Sequence, residues 1–283
     1  MIAGLLATAR YWFPPRVDES VVRPRLELFY ATRQDYHAMT ACEDKVTHPQ
    51  VKLLMSHIRL QDRVIEFGCG GGVVLSEIGR LACTTIGCDL SAIALAKARS
   101  RPGKHSVAQA DIARMPFPDN CADLVYSLEV LEHVWNPATV ILEMIRVTRP
   151  GGTIFFTTPN GYSMNMHLKQ RKSVRAANYA GALGAGWLAS RRTEPYQNVP
   201  PDLDASPVYP DCDMITRIHP RELSRFMVRA GCSVERLETY FFLEKKASSE
   251  AELAKFRKLA AGRFHRWHGD HILLVGRKMA NKA

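Results

Sequence analysis

From residue 60 to residue 160 the chain alternates short apolar runs with stretches whose apolar positions recur at helical spacing. The runs fall at about 63–67, 84–88, 105–109, 122–127 and 153–157. Strands alternating with helices predict an α/β fold, a doubly wound and mostly parallel sheet. Residues 1–60 read as a helical preface, in which Val51–Ile58 is an amphipathic stretch leading into the first strand. After the fifth strand, Thr157-Thr158-Pro159-Asn160-Gly161-Tyr162 turns out on the face where ligands of such sheets bind, outside the carboxyl ends of the strands.

Nearly sixty residues then pass before Pro220 starts a helix that leads to a sixth strand near 232–242. The excursion runs through a basic stretch (Lys169–Arg175), a small-residue stretch (Ala180–Leu188) and a Pro- and Asp-rich loop through Asp213. Long connections of this kind are functional lids or disordered segments, and a lid over the ligand face is the expectation. The chain thus divides into a preface (1–60), a ligand-binding core (61–160), an inserted lid (161–218) and a completion of the sheet (219–283) that ends on a strand at Ile272–Lys278. No internal repeat is evident.

Composition narrows the class. At 283 residues, with 46% hydrophobic and 23% charged residues, the chain can bury a full core and is not of disordered type. No run approaches the roughly 18 consecutive apolar residues of a membrane span. The start of the chain has no basic region before its short apolar stretch, which argues against a cleaved signal. Trp12 and Phe13 are expected to fold over the core. Seven cysteines without a C-x-x-C pair point to reduced thiols and a cytoplasmic location.

Charge is unevenly spread: residues 1–160 hold 17 Lys and Arg against 16 Asp and Glu, while residues 161–283 hold 21 against 12. Almost all of the net +10 therefore follows the fifth strand. This pattern fits an acidic substrate, a carrier protein, a nucleic acid or an anionic surface, or simply a solvated face.

The chemistry is concentrated in Val64-Ile65-Glu66-Phe67-Gly68-Cys69-Gly70-Gly71-Gly72, a strand ending in an acid and a glycine-rich turn. Glycine suits a sharp turn and a close approach of ligand to backbone. The dinucleotide spacing G-x-G-x-x-G is not met, because the third glycine position holds Val73 or Leu75. What stands here, E-x-G-x-G-x-G, resembles the first motif of the class I S-adenosylmethionine-dependent methyltransferases.

Further matches follow in order. Thr84–Asp89 ends a second strand in a carboxylate about 20 residues later, where a ribose-binding acid belongs. Ser106–Ile112 places Asp111 and Ile112 at the positions that meet the adenine amino group and ring in the family. Cys121–Ser127, and then Leu128-Glu129-Val130-Leu131-Glu132-His133-Val134, resemble the fourth strand and the segment after it. Val147–Phe156 resembles the family's turn and fifth strand. The resemblance implies a Rossmann-like sheet of seven strands with the last antiparallel. It also implies S-adenosyl-L-methionine as cofactor, contacted by Glu66, Gly68, Cys69, Gly70, Gly72, Asp89, Leu90, Asp111, Ile112 and Glu129. Taken singly, Asp89 or Asp111 would serve equally well as a helix cap. Tyr30, Tyr36 and His37 are further contact candidates from the preface.

A sulfonium methyl group is already activated, so alignment with the acceptor supplies much of the acceleration, on the order of 7–11 kcal/mol in favourable cases. For a hydroxyl acceptor a base helps, and His133, following the fourth strand, is the catalytic candidate. Glu129, Glu132 and His133 form E-x-x-E-H, similar to ubiquinone-biosynthesis O-methyltransferases and small-RNA 2′-O-methyltransferases. In those families the segment can bind a divalent ion, for which His167 and His219 are the further ligand candidates here. The same E-H pair also occurs in metal-free enzymes, and no metal ligand is assigned. His265, His268 and His271, spaced by three around Trp267 and Asp270, are read as a substrate-facing loop. The expected function is O-methylation of a small-molecule or carrier-bound metabolite. RNA 2′-O-methylation and small-molecule N-methylation are the alternatives, with nucleic acid the less favoured partner.

Overall fold

A computed structural model of the chain describes residues 14–33, 43–81, 84–163, 195–206, 212–240 and 269–280, with Gly181 and Gly184. The expectations for Trp12, Phe13, Tyr36, His37, His167, the basic stretch 169–175, His265 and His268 lie outside the described residues.

Helix α1 (Glu19–Thr32) is capped by Asp18, whose side chain accepts the Ser20 N–H. A short 3-10 segment (Glu43–Thr47) precedes α2 (Pro49–Ser56). Then come β1 (Arg63–Phe67), α3 (Val73–Ile78), β2 (Thr84–Asp89), α4 (Ala92–Arg99), β3 (His105–Gln109) and β4 (Ala122–Leu128). A 3-10 turn (Leu131–His133) leads to α5 (Pro137–Val147) and β5 (Thr148–Pro159). The chain continues through β6 (Tyr196–Asn198), β7 (Thr216–Ile218), α6 (Pro220–Arg229), β8 (Cys232–Tyr240) and β9 (His271–Lys278).

Seven strands form one sheet in the order β3-β2-β1-β4-β5-β9-β8. β1 to β5 are parallel, and β9 runs antiparallel between β5 and β8. The expected seven-stranded, doubly wound sheet with an antiparallel last strand is therefore present. Its strands read as apolar runs because both faces are covered. Ile65, Phe67, Val125, Ile154 and Phe156 point into one core with α5 and α6, through Ile141, Met144, Leu223 and Met227. Their neighbours Val64, Leu124, Tyr126 and Phe155 point into the other, with α2 and α3, through Val51, Leu54, Val74 and Ile78. Period-two alternation thus splits each strand between two hydrophobic layers.

The sequence order reverses between β1 and β4, so a crevice opens at the carboxyl ends of these strands. A third, smaller core lies over it. Val22, Leu26 and Phe29 of α1 pack with Leu203, Cys212 and Ile215, with Trp135 against them. β6 and β7 form a separate antiparallel ribbon, tied to the main sheet by the bridge Asn160–Ile218. This ribbon was not predicted, because three-residue strands hold too few positions to show a period. β5 is also longer than the expected 153–157, since it begins at Thr148 and spans a register shift opposite β4.

Candidate active site

The glycine turn is bound to the neighbouring strand before any ligand arrives. Gly68 and Cys69 both donate their N–H groups to Cys88 O, at 2.8 and 2.9 Å. One oxygen of Asp89 accepts Gly70 N and the other accepts Ser91 N, each at 2.8 Å. Both carboxylate oxygens of Asp89 thus hold backbone of the two turns.

The three spaced glycines serve different ends, although all have positive φ. A Cβ on Gly68 would lie 2.6 Å from a Val130 methyl, and one on Gly72 would lie 2.7 Å from Ala98 Cβ. Those two glycines permit packing against the segment after β4 and against α4. Gly70, at φ +50°, has nothing within 4 Å of where a Cβ would stand, and there the backbone faces open space.

Glu66 ends β1 almost fully buried, with the Tyr126 hydroxyl donating to Oε2 at 2.8 Å. Burial pushes its carboxyl up to about 8, against the opposing pull of the Tyr126 hydrogen bond and the charge of Lys45. Lys45, from the 3-10 segment before α2, also acts on Glu129. The preface therefore reaches the ends of β1 and β4. Cys88 is pushed up to about 12 by burial, and the Cys69 thiol is pushed up as well, so neither is a nucleophile at neutral pH.

Beyond β2, Leu90 stays 57% exposed and its carbonyl accepts the Gln109 side chain at 2.9 Å. Asp111 is exposed and accepts the Ala113 N–H at 2.9 Å, while Ile112 is half-buried against the core. Asp111 thus shapes a turn by its own side chain.

After β4 the backbone turns through Glu129 at φ +54°. The Glu129 carboxylate stands 3.3 Å from His271 Nε2, at the start of β9. Burial would raise Glu129, but the charge and hydrogen bond of His271, with the Thr157 hydroxyl, hold it below the usual range. His271 also stacks on Tyr240, at 5.4 Å between ring centroids. Of the three histidines read as a substrate-facing loop, His271 is instead a strand residue paired with this carboxylate.

His133 lies in the 3-10 turn with its side chain 17% exposed. Nδ1 stands 3.1 Å from Asp213 Oδ2, and Nε2 stands 3.5 Å from Glu132 Oε1. Asp213 is fully buried and accepts the Tyr30 hydroxyl at 2.7 Å. Glu132 is held by Thr158, whose hydroxyl donates to Oε2 at 2.9 Å. The structure gathers Glu132, His133, Asp213 and Tyr30 into one cluster. Sequence reading offered Tyr30 as a loose candidate and missed Asp213, whose only signal was its place at the end of the excursion. His219 packs edge-on against Tyr162 at the start of α6. Among the described residues no group of three or more His, Cys, Asp or Glu side chains is arranged to hold a metal ion.

Residues 65–156, from β1 into β5, match the family described as Methyltransferase domain. These residues carry a methyltransferase domain of the S-adenosylmethionine-dependent type. The domain resembles a "probable S-adenosylmethionine-dependent methyltransferase" of Mycolicibacterium smegmatis, 34% identical over 40% of this chain and 44% of the relative. It also resembles ubiquinone biosynthesis O-methyltransferases of Methylococcus capsulatus (32% identical; 39% of this chain, 49% of the relative) and Agrobacterium fabrum (28%; 75% and 80%). The chain thus spans less than half the length of the first two of these relatives. The fold matches that of an S-adenosylmethionine-dependent methyltransferase from Mesorhizobium loti, with TM-score 0.53, 18% identity, and 80% of this chain and 96% of that one covered.

The site fits the cofactor of this domain type in two respects. Gly70 leaves backbone open to a ligand, and Leu90, next to the strand-end acid Asp89, presents an apolar side chain to solvent.

Proposed function

We propose that this protein is an O-methyltransferase for a small-molecule or carrier-bound acceptor and works by direct in-line transfer. The observation that carries this reading is the partly accessible imidazole of His133, held between two buried carboxylates at the end of β4.

In this reading S-adenosyl-L-methionine supplies an activated methyl group. Gly68, Cys69, Gly70 and Gly72 shape the turn against which the cofactor lies, Glu66 meets its amino-acid part, and Asp89 accepts its ribose hydroxyls. Leu90, Asp111 and Ile112 hold the base, and Glu129 borders the pocket. His133 accepts the proton of the acceptor hydroxyl, which raises the nucleophilicity of the oxygen. Residues 161–218 act as a lid and the preface closes over the cofactor, together excluding water. The basic excess after residue 160 favours an acidic acceptor. Buried thiols suit a cytoplasmic, reducing setting, and among the described residues no helix is long and apolar enough to cross a membrane.

Calorimetric titration with S-adenosylmethionine and its demethylated product, with NAD as control, tests the cofactor. A panel of hydroxyl, amine and RNA acceptors, scored by the atom methylated, tests the transfer. Product only on nitrogen, or only on RNA, would replace this reading with one of its alternatives.

A further inference from the structure

We propose that Asp213 is the positioning residue for His133, stabilising its protonated form; this rests on the proposed role of His133 as base.

The segment carrying Asp213 is clamped onto the turn that carries His133. Ile215 N donates to Glu132 O at 2.9 Å, Thr216 Oγ1 donates to Val134 O at 2.6 Å, and Asn198 Nδ2 donates to Trp135 O at 2.8 Å. These bonds bring the later part of the excursion, across 63 or more residues of sequence, onto the 3-10 turn and the residues just after it. Behind Asp213, α1 packs through Phe29 and Leu26 against Cys212 and Ile215.

Two side chains from distant elements meet on one oxygen. Tyr30 Oη lies 2.7 Å and His133 Nδ1 lies 3.1 Å from Asp213 Oδ2. A protonated His133 lies between the carboxylates of Asp213 and Glu132, whose Oε1 is 3.5 Å from Nε2. A fully buried carboxylate acts on it with little screening by water. Among the other charged groups on the surrounding elements, Arg217 of β7 is buried with the start of its side chain over Gly161, and Glu143 and Arg146 of α5 pair with each other.

The test needs no acceptor. Histidine-labelled protein is titrated by NMR, and the His133 signal is assigned as the one missing from His133→Asn. In Asp213→Asn the midpoint of His133 should fall by on the order of one to three pH units, the usual effect of removing an opposite charge at this distance. Asp213→Glu, which keeps the charge, should retain most of the wild-type midpoint. Tyr30→Phe leaves the carboxylate more basic and should move the midpoint up. A folded Asp213→Asn whose midpoint stays at the wild-type value overturns the proposal. Should that variant not fold, Tyr30→Phe decides, and an unmoved midpoint there overturns it. Failure of the proposed function gives a different result: no methylated product from wild type, or unchanged turnover in His133→Ala, whatever the titration shows.

Discussion

Asp89 Oδ2 accepts the backbone N–H of Gly70 at 2.8 Å, across nineteen residues of sequence. The acid that ends β2 therefore organises the turn that follows β1. The geometry of both turns thus resides in one side chain and depends on its charge.

Asp89→Ala removes two charge-assisted acceptors, each worth about 1.5–3 kcal/mol. Thermal stability should fall and S-adenosylmethionine affinity should drop at least about 100-fold, as measured by calorimetry. Near-normal affinity would show that the ribose assignment is wrong.

Alanine at the three glycines should separate turn geometry from packing. Each carries a positive-φ cost of about 1 kcal/mol or more. Gly72→Ala also drives its Cβ into Ala98, close to the α4 backbone, which adds about 1–3 kcal/mol of overpacking. Gly68→Ala meets the side chain of Val130 and no backbone, and should cost less than Gly72→Ala. Gly70→Ala should unfold at the highest denaturant concentration of the three yet lose the most cofactor affinity relative to its stability. An equal loss of stability in all three would contradict the open placement of Gly70.

Glu66 should make stability fall as pH rises. Its ordinary value of 4.5 is raised to about 8 in the fold. The unfolded chain therefore releases this proton near 4.5 while the folded protein holds it. The resulting penalty is absent below about 4.5, grows through the window, and is complete above about 8. Glu66→Gln keeps an acceptor for Tyr126 and carries no charge. Its melting temperature relative to wild type should rise between pH 5 and pH 9, and a constant difference would refute the raised value. A cationic cofactor group beside Glu66 would favour ionisation, so binding at pH 7 should release protons, visible in buffers of different ionisation enthalpy.

His133→Ala should reduce turnover by about 100-fold or more, within the range of general acid–base contributions, with cofactor affinity close to wild type. Stopped turnover accompanied by an equal loss of cofactor binding would assign His133 to cofactor positioning instead.

Local patterning determined the core of this protein. β1 and β3 lie where predicted, because runs such as Val64–Phe67 must bury both faces and no helix period accommodates them. The glycine turn and the strand-end acids Glu66 and Asp89 were legible for the same reason, since their chemistry depends on residues close in sequence. Only the tertiary structure decided that Gly68 and Gly72 are packing positions, because Val130 and Ala98 approach them from distant elements. Likewise, Glu129 meets His271 only because β9 inserts beside β5, which brings His271 opposite Pro159. Asp213 reaches His133 only because the ribbon and α1 share a small core above the sheet. A carboxylate in a loop has no period, and its partner is chosen by long-range packing whose distances no local pattern records.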